Sequence, residues 1–144
     1  MKRLVLLALF SGFLVAADSP TKDAAKAELD KIQGTWVATA GEENGEKFPE
    51  EVVKKMKMTL KGDEWTFQRG DETLNGTMKL DPSKKIKTFD AKVEGQGDAV
   101  LGIYELEGDN WKICWSAPGG DRPTEFTAKA DSGRTWISLK KEKK

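Results

Sequence analysis

No histidine occurs in this chain of 144 residues, and its one cysteine is Cys114. Those two shortages exclude a good deal of chemistry. An intramolecular disulfide needs a second thiol, so a packed core has to hold the fold together. Structural zinc sites are built from clusters of Cys and His. Ser-His-Asp and Cys-His catalytic groups need an imidazole. Neither can be assembled from this composition, and no cofactor signature is present. Excess charge is missing as well: 24 Lys and Arg balance 24 Asp and Glu. Nucleic acid and anionic membrane surfaces therefore find no electrostatic footing.

Long apolar runs are confined to the first residues. Lys2 and Arg3 precede an apolar stretch at residues 4–14, broken by Ser11 and Gly12. Val15-Ala16-Ala17 then places small residues where a signal peptidase reads. About 13 apolar residues fall short of the ~20 that a spanning helix takes. Residues 1–17 read as a secretory signal peptide cut between Ala17 and Asp18. The protein is thus expected outside the cytoplasm, periplasmic or secreted, and free of the membrane once cut. Residues 18–144 carry 22 basic and 24 acidic side chains and have the length of one domain.

That domain opens on a helix. Residues 21–33 are rich in helix formers, with Ala25, Leu29 and Ile32 on one stripe and Gly34 as the stop. Gly34-Thr35-Trp36 follows at the first strand, and this Gly-x-Trp after a helical turn resembles the opening signature of lipocalins. Period-2 runs then come in series. Met56, Met58 and Leu60 alternate with polar residues, as do Trp65 and Phe67, and Leu74, Met78 and Leu80. The pattern predicts half-buried antiparallel strands. Asn44-Gly45 and five Gly-Asp pairs supply turns, and Asp81-Pro82-Ser83 supplies another. Phe89, Ala91 and Val93 are in phase but Ile86 is not, which predicts a bulge near Lys87. Residues 99–106 are apolar on both faces, so their outer side needs a cover, for which the N-terminal helix is the expected element. Residues 111–115, 125–128 and 135–139 complete the strands. A run of about eight strands with short turns predicts a mainly β fold, an eight-stranded antiparallel up-and-down barrel with one N-terminal helix.

GIYELEGD at residues 102–109, KIC at 112–114, RPTEF at 122–126 and the earlier LDPSKKIKTFD at 80–90 carry a resemblance. Together they resemble a lipocalin-like domain family of uncharacterised, often exported proteins abundant in planctomycete bacteria. The resemblance implies a lipocalin-like barrel and an extracytoplasmic address; it implies no activity. Trp111 and Trp136 stand where that family more often has aliphatic residues, which adds bulk to the interior.

The candidate ligand-contacting residues are Trp36, Trp65, Tyr104, Trp111 and Arg122. The four aromatics, with Trp115, are the stock from which an apolar pocket would be made. The same residues can instead fill a small barrel. Arg122 is held extended by Pro123 and can clamp an anionic ligand, or stack on a tryptophan and pair with Asp109 or Asp121. Lipocalins commonly pack a basic side chain over the first-strand Trp, a part for which Arg134 competes with Arg122. Cys114 reads as a small buried hydrophobe rather than a nucleophile. No spacing among Asp81, Asp90, Asp109 and Asp121 selects a catalytic carboxylate pair, and no enzyme is expected. The expected role is a structural or interaction module with an unknown protein partner; the alternative is a carrier of a small apolar or amphipathic ligand.

Overall fold

Two-residue turns set the course of the chain. Asn44 (φ 51°) and Gly45 (φ 88°) are both left-handed, the mirror-image turn whose twist matches its flanking strands. Gly62, Gly70 and Gly108 open three further hairpin turns at φ 66°, 64° and 60°. The computed structural model describes residues 22–142, so the expected signal peptide at residues 1–17 lies outside the described residues.

Helix α1 (Lys22–Lys31) has Asp23 in its first turn and Lys31 in its last, charges that complement the helix dipole. The strands are β1 (Gly34–Glu43), the short β2 (Glu46–Lys47), β3 (Met56–Lys61), β4 (Glu64–Arg69), β5 (Glu72–Asp81), β6 (Lys87–Val93), β7 (Val100–Glu107), β8 (Asn110–Ser116) and β9 (Arg134–Lys141). A one-turn helix α2 (Glu50–Val53) precedes β3. Neighbouring strands pair antiparallel in the order β1-β3-β4-β5-β6-β7-β8-β9, and β9 returns to pair with β1. The predicted eight-stranded barrel is therefore closed, with β2 as a small extra ladder on β1.

Alternation decides what faces inward. In β3 the buried residues are Met56, Met58 and Leu60; in β6 they are Phe89, Ala91 and Val93. Trp36, Trp65, Tyr104 and Trp111 are all buried in the same core. Helix α1 lies at the barrel end where β1 begins and β9 finishes. Ile32 is fully buried there, Gln33 bonds the β3–β4 turn at Gly62, and Glu28 reaches β6 and β7. Among the described residues no helix is long and apolar enough to cross a membrane.

Four local expectations are corrected. β6 pairs with β5 and β7 without a register shift, and Ile86 is out of phase because it precedes the strand; the irregularity lies in β1, between Ala38 and Ala40. Residues 125–128 are not a strand. They belong to the long β8–β9 connection, residues 117–133, which folds over the outer faces of β6, β7 and β8. Cys114 Sγ lies 3.6 Å from Glu125 O and 3.5 Å from Thr127 O, and Arg122 bonds carbonyls of β6 and β7. That connection, not α1, covers Ile103 on the outer side of β7, a residue only 2% exposed and paired with Cys114. Trp136 also faces outward, with Lys112 Nζ 5.2 Å from both its ring and that of Phe126.

Candidate functional site

The interior divides into a packed end and an open end. At the α1 end, Trp36 and Trp111 meet edge to face, their centroids 5.4 Å apart and their planes at 65°. Trp36 Nε1 donates to Ile32 O at 2.9 Å, which ties the first strand to the helix that precedes it. Lys141 Nζ stands 5.7 Å from the Trp36 ring, within cation–π reach. The basic side chain over the first-strand Trp is therefore supplied by Lys141, rather than by Arg122 or Arg134. Trp111 Nε1 is buried without a hydrogen-bond acceptor among the described residues. A T-shaped indole pair is an arrangement in which such an N–H can point at a π face.

A buried carboxylate locks this end. Glu28 is 4% exposed. It accepts from Tyr104 Oη at 2.9 Å, Lys87 Nζ at 2.9 Å and Lys31 Nζ at 3.1 Å. Burial pushes its carboxyl upward, but the bonds from Lys87, Tyr104 and Lys31 outweigh that and hold it below its ordinary value. The Tyr104 phenol is pushed well above its ordinary range by burial and by the Glu28 carboxylate, so it stays a donor. A carboxylate with a depressed folded-state pKa stabilises above its unfolded pKa and ceases to do so as pH falls through the folded value. Lowering the pH from 7 to 3 should thus lower the urea midpoint more for the wild type than for Glu28→Gln. Equal losses in the two proteins would show that Glu28 is not a source of acid sensitivity.

The opposite half of the lumen is not filled. A cavity of about 170 Å³ opens there, walled by Trp65, Phe67, Phe89 and Trp115 with Met58 and Met78 below and Leu74, Val93 and Val100 towards the mouth. Trp65 Nε1 donates to Thr77 O at 2.9 Å, so its N–H is engaged and its ring is what the cavity meets. Among the described residues Gln96 is the one polar side chain on the lining, on the β6–β7 loop, and Pro118 borders it from the β8–β9 connection. Two glycines shape the walls. A Cβ on Gly102 would stand 2.3 Å from the Phe89 ring, and one on Gly76 would stand 1.7 Å from Lys92 O.

The candidate residues are thus divided. Trp65 lines the cavity. Trp36, Tyr104 and Trp111 lie in the packed end and do not border it. Arg122 is on the outer wall, where Nη1 donates to Phe89 O at 2.8 Å and Gly102 O at 2.9 Å and Nη2 pairs with Asp90 at 2.6 Å. Its partner is Asp90, not Asp109 or Asp121, and it pins the long connection to β6 and β7. Arg122→Ala should cost about 1–3 kcal/mol, by leaving strand carbonyls and Asp90 without their donor. A change below about 0.5 kcal/mol in urea unfolding, the range of uninvolved surface sites, would refute the clamp.

Cys114 is fully buried, and burial pushes its thiol upward. Phe67, Met78 and Phe89 share the inward phase of Trp65, a signal open to reading once phenylalanine and methionine are weighed with the tryptophans. Gln96 had no such signal, because periodicity does not place a loop side chain. The chain matches no family model, no curated protein and no solved structure.

Proposed function

We propose that this protein is an exported, non-catalytic binding barrel that takes a small apolar ligand at its open end. The observation that carries the reading is the cavity of about 170 Å³ with its aromatic and thioether walls. A dry apolar void of ~150 Å³ accepts benzene, whereas drug-sized ligands occupy ~300 Å³ or more. A single ring or a short alkyl group suits this space; a long-chain fatty acid does not. Among the described residues no nucleophile and no ionisable side chain borders the cavity, and the reading as a binder rather than an enzyme rests on that lining.

Titration with toluene and with palmitate, followed by the protein's tryptophan emission, to which Trp65 and Trp115 on the cavity wall contribute, tests the proposal. Saturable binding of toluene without saturable binding of palmitate is expected. No binding of any ring-sized hydrocarbon would overturn it.

A second reading, an interaction module working through its surface, is favoured by one observation. Ile86 is the exposed large hydrophobic side chain among the described residues, at 42%. It borders an outer groove with Leu106 and Phe126, a place where a protein partner would find apolar contact.

A further inference from the structure

Resting on the cavity reading above, we infer that the preferred ligand is a small aromatic ring bearing one uncharged hydrogen-bonding group, such as a phenol or an indole, with that group turned to Gln96. Size and shape come first. Four aromatic side chains, Trp65, Phe67, Phe89 and Trp115, surround a space of about 170 Å³, and aromatic walls favour offset or edge-on contact with another ring. Met58 and Met78 add polarizable sulfur, which also packs well against ring edges.

Polarity sets the second requirement. Among the described residues Gln96 is the only polar side chain on the lining, and it stands exposed on its loop. Among the described residues its amide has no hydrogen-bond partner, while the other polar group close by, Trp65 Nε1, is already committed to Thr77 O. A primary amide offers both an acceptor and donors, so it accepts the O–H of a phenol or the N–H of an indole equally well. Charge is disfavoured for the same reason that one polar group is favoured. No ionisable side chain among the described residues lines the walls, so a carboxylate or ammonium drawn inside would lose its water without gaining a counter-charge.

The test is calorimetric titration of wild type and Gln96→Met with p-cresol, indole, toluene and benzoate at pH 7. Methionine keeps the length of the side chain and removes the amide. The expected result is that the substitution weakens p-cresol and indole by about 3- to 10-fold, the worth of one hydrogen bond near solvent. Toluene should stay within about twofold, since it makes no such bond. Benzoate should bind neither protein. Equal loss or no loss across p-cresol and toluene would overturn the inference, as would benzoate binding as tightly as p-cresol. Toluene binding in those cases leaves the cavity reading standing, whereas failure of all four compounds to bind wild type would remove that reading itself. Urea midpoints of the two proteins should coincide, because Gln96 is an exposed loop residue; a shift of the midpoint would point to a structural role and overturn the assignment.

Discussion

Trp36→Ala and Trp111→Ala should each remove about 3–5 kcal/mol of stability, the usual cost of truncating a large buried aromatic. A domain of this size has ~5–15 kcal/mol in all, so either variant would be left near the edge of folding. The expectation rests on position. Both rings are essentially inaccessible, they pack against each other, and Trp36 also holds α1 through Ile32 O. Urea unfolding gives the measurement, and a loss below about 1.5 kcal/mol would mean that the end can collapse around the gap. Substitution by phenylalanine separates volume from hydrogen bonding. Trp36→Phe strands the Ile32 carbonyl, whereas Trp111→Phe discards an N–H that has no acceptor among the described residues, so the first should cost more.

Gly76→Ala is the second large effect. Its Cβ would sit 1.7 Å from Lys92 O and 3.1 Å from the Trp65 ring. Overpacking costs ~1–3 kcal/mol where side chains can shift, and more where they cannot. Here the obstacle is backbone. β5 and β6 would have to part at Gly76↔Val93, beside the wall that Trp65 forms. The variant is expected to lose about 3 kcal/mol or more, or to fail to fold. Gly97→Ala is the control, since nothing lies within 4 Å of its Cβ; it should stay within about 0.5 kcal/mol of wild type. Equal midpoints for the two variants would show that the β5–β6 contact yields easily.

The barrel was legible in the sequence because period 2 is imposed by geometry. A strand with one face in the core must alternate, and β3, β4 and β5 do. Reading ran short where side chains serve a surface already occupied. Residues 125–128 alternate like a strand, yet β8 and β9 pair with each other and leave no ladder position for them. Their carbonyls meet Cys114 Sγ instead. Glu28 is a charged residue on the buried side of an otherwise apolar stripe; its partners Lys87, a cation, and Tyr104, a neutral donor, lie far along the chain. The site was legible only as a stock of aromatics. Whether Trp65 or Trp111 borders free space turns on what packs against each ring once the barrel closes, Trp36 against Trp111 and open space against Trp65; alternation says only that both face inward.

The joining of β1 to β9 has a consequence for how the chain becomes a protein. Trp36 faces Lys141 and Glu43 faces Thr135, so the first strand waits for its second neighbour until the last has emerged. Pairings so distant in sequence are slow to form, because the intervening chain must first be ordered. A polypeptide stopped after β8 would hold a curved sheet with β1 and β8 as bare edges, and bare edges recruit strands from other molecules. Strand β9, whose outward residues are Arg134, Trp136, Ser138 and Lys140, thus acts as a latch against aggregation. Nascent or clipped forms lacking it should be the ones that associate.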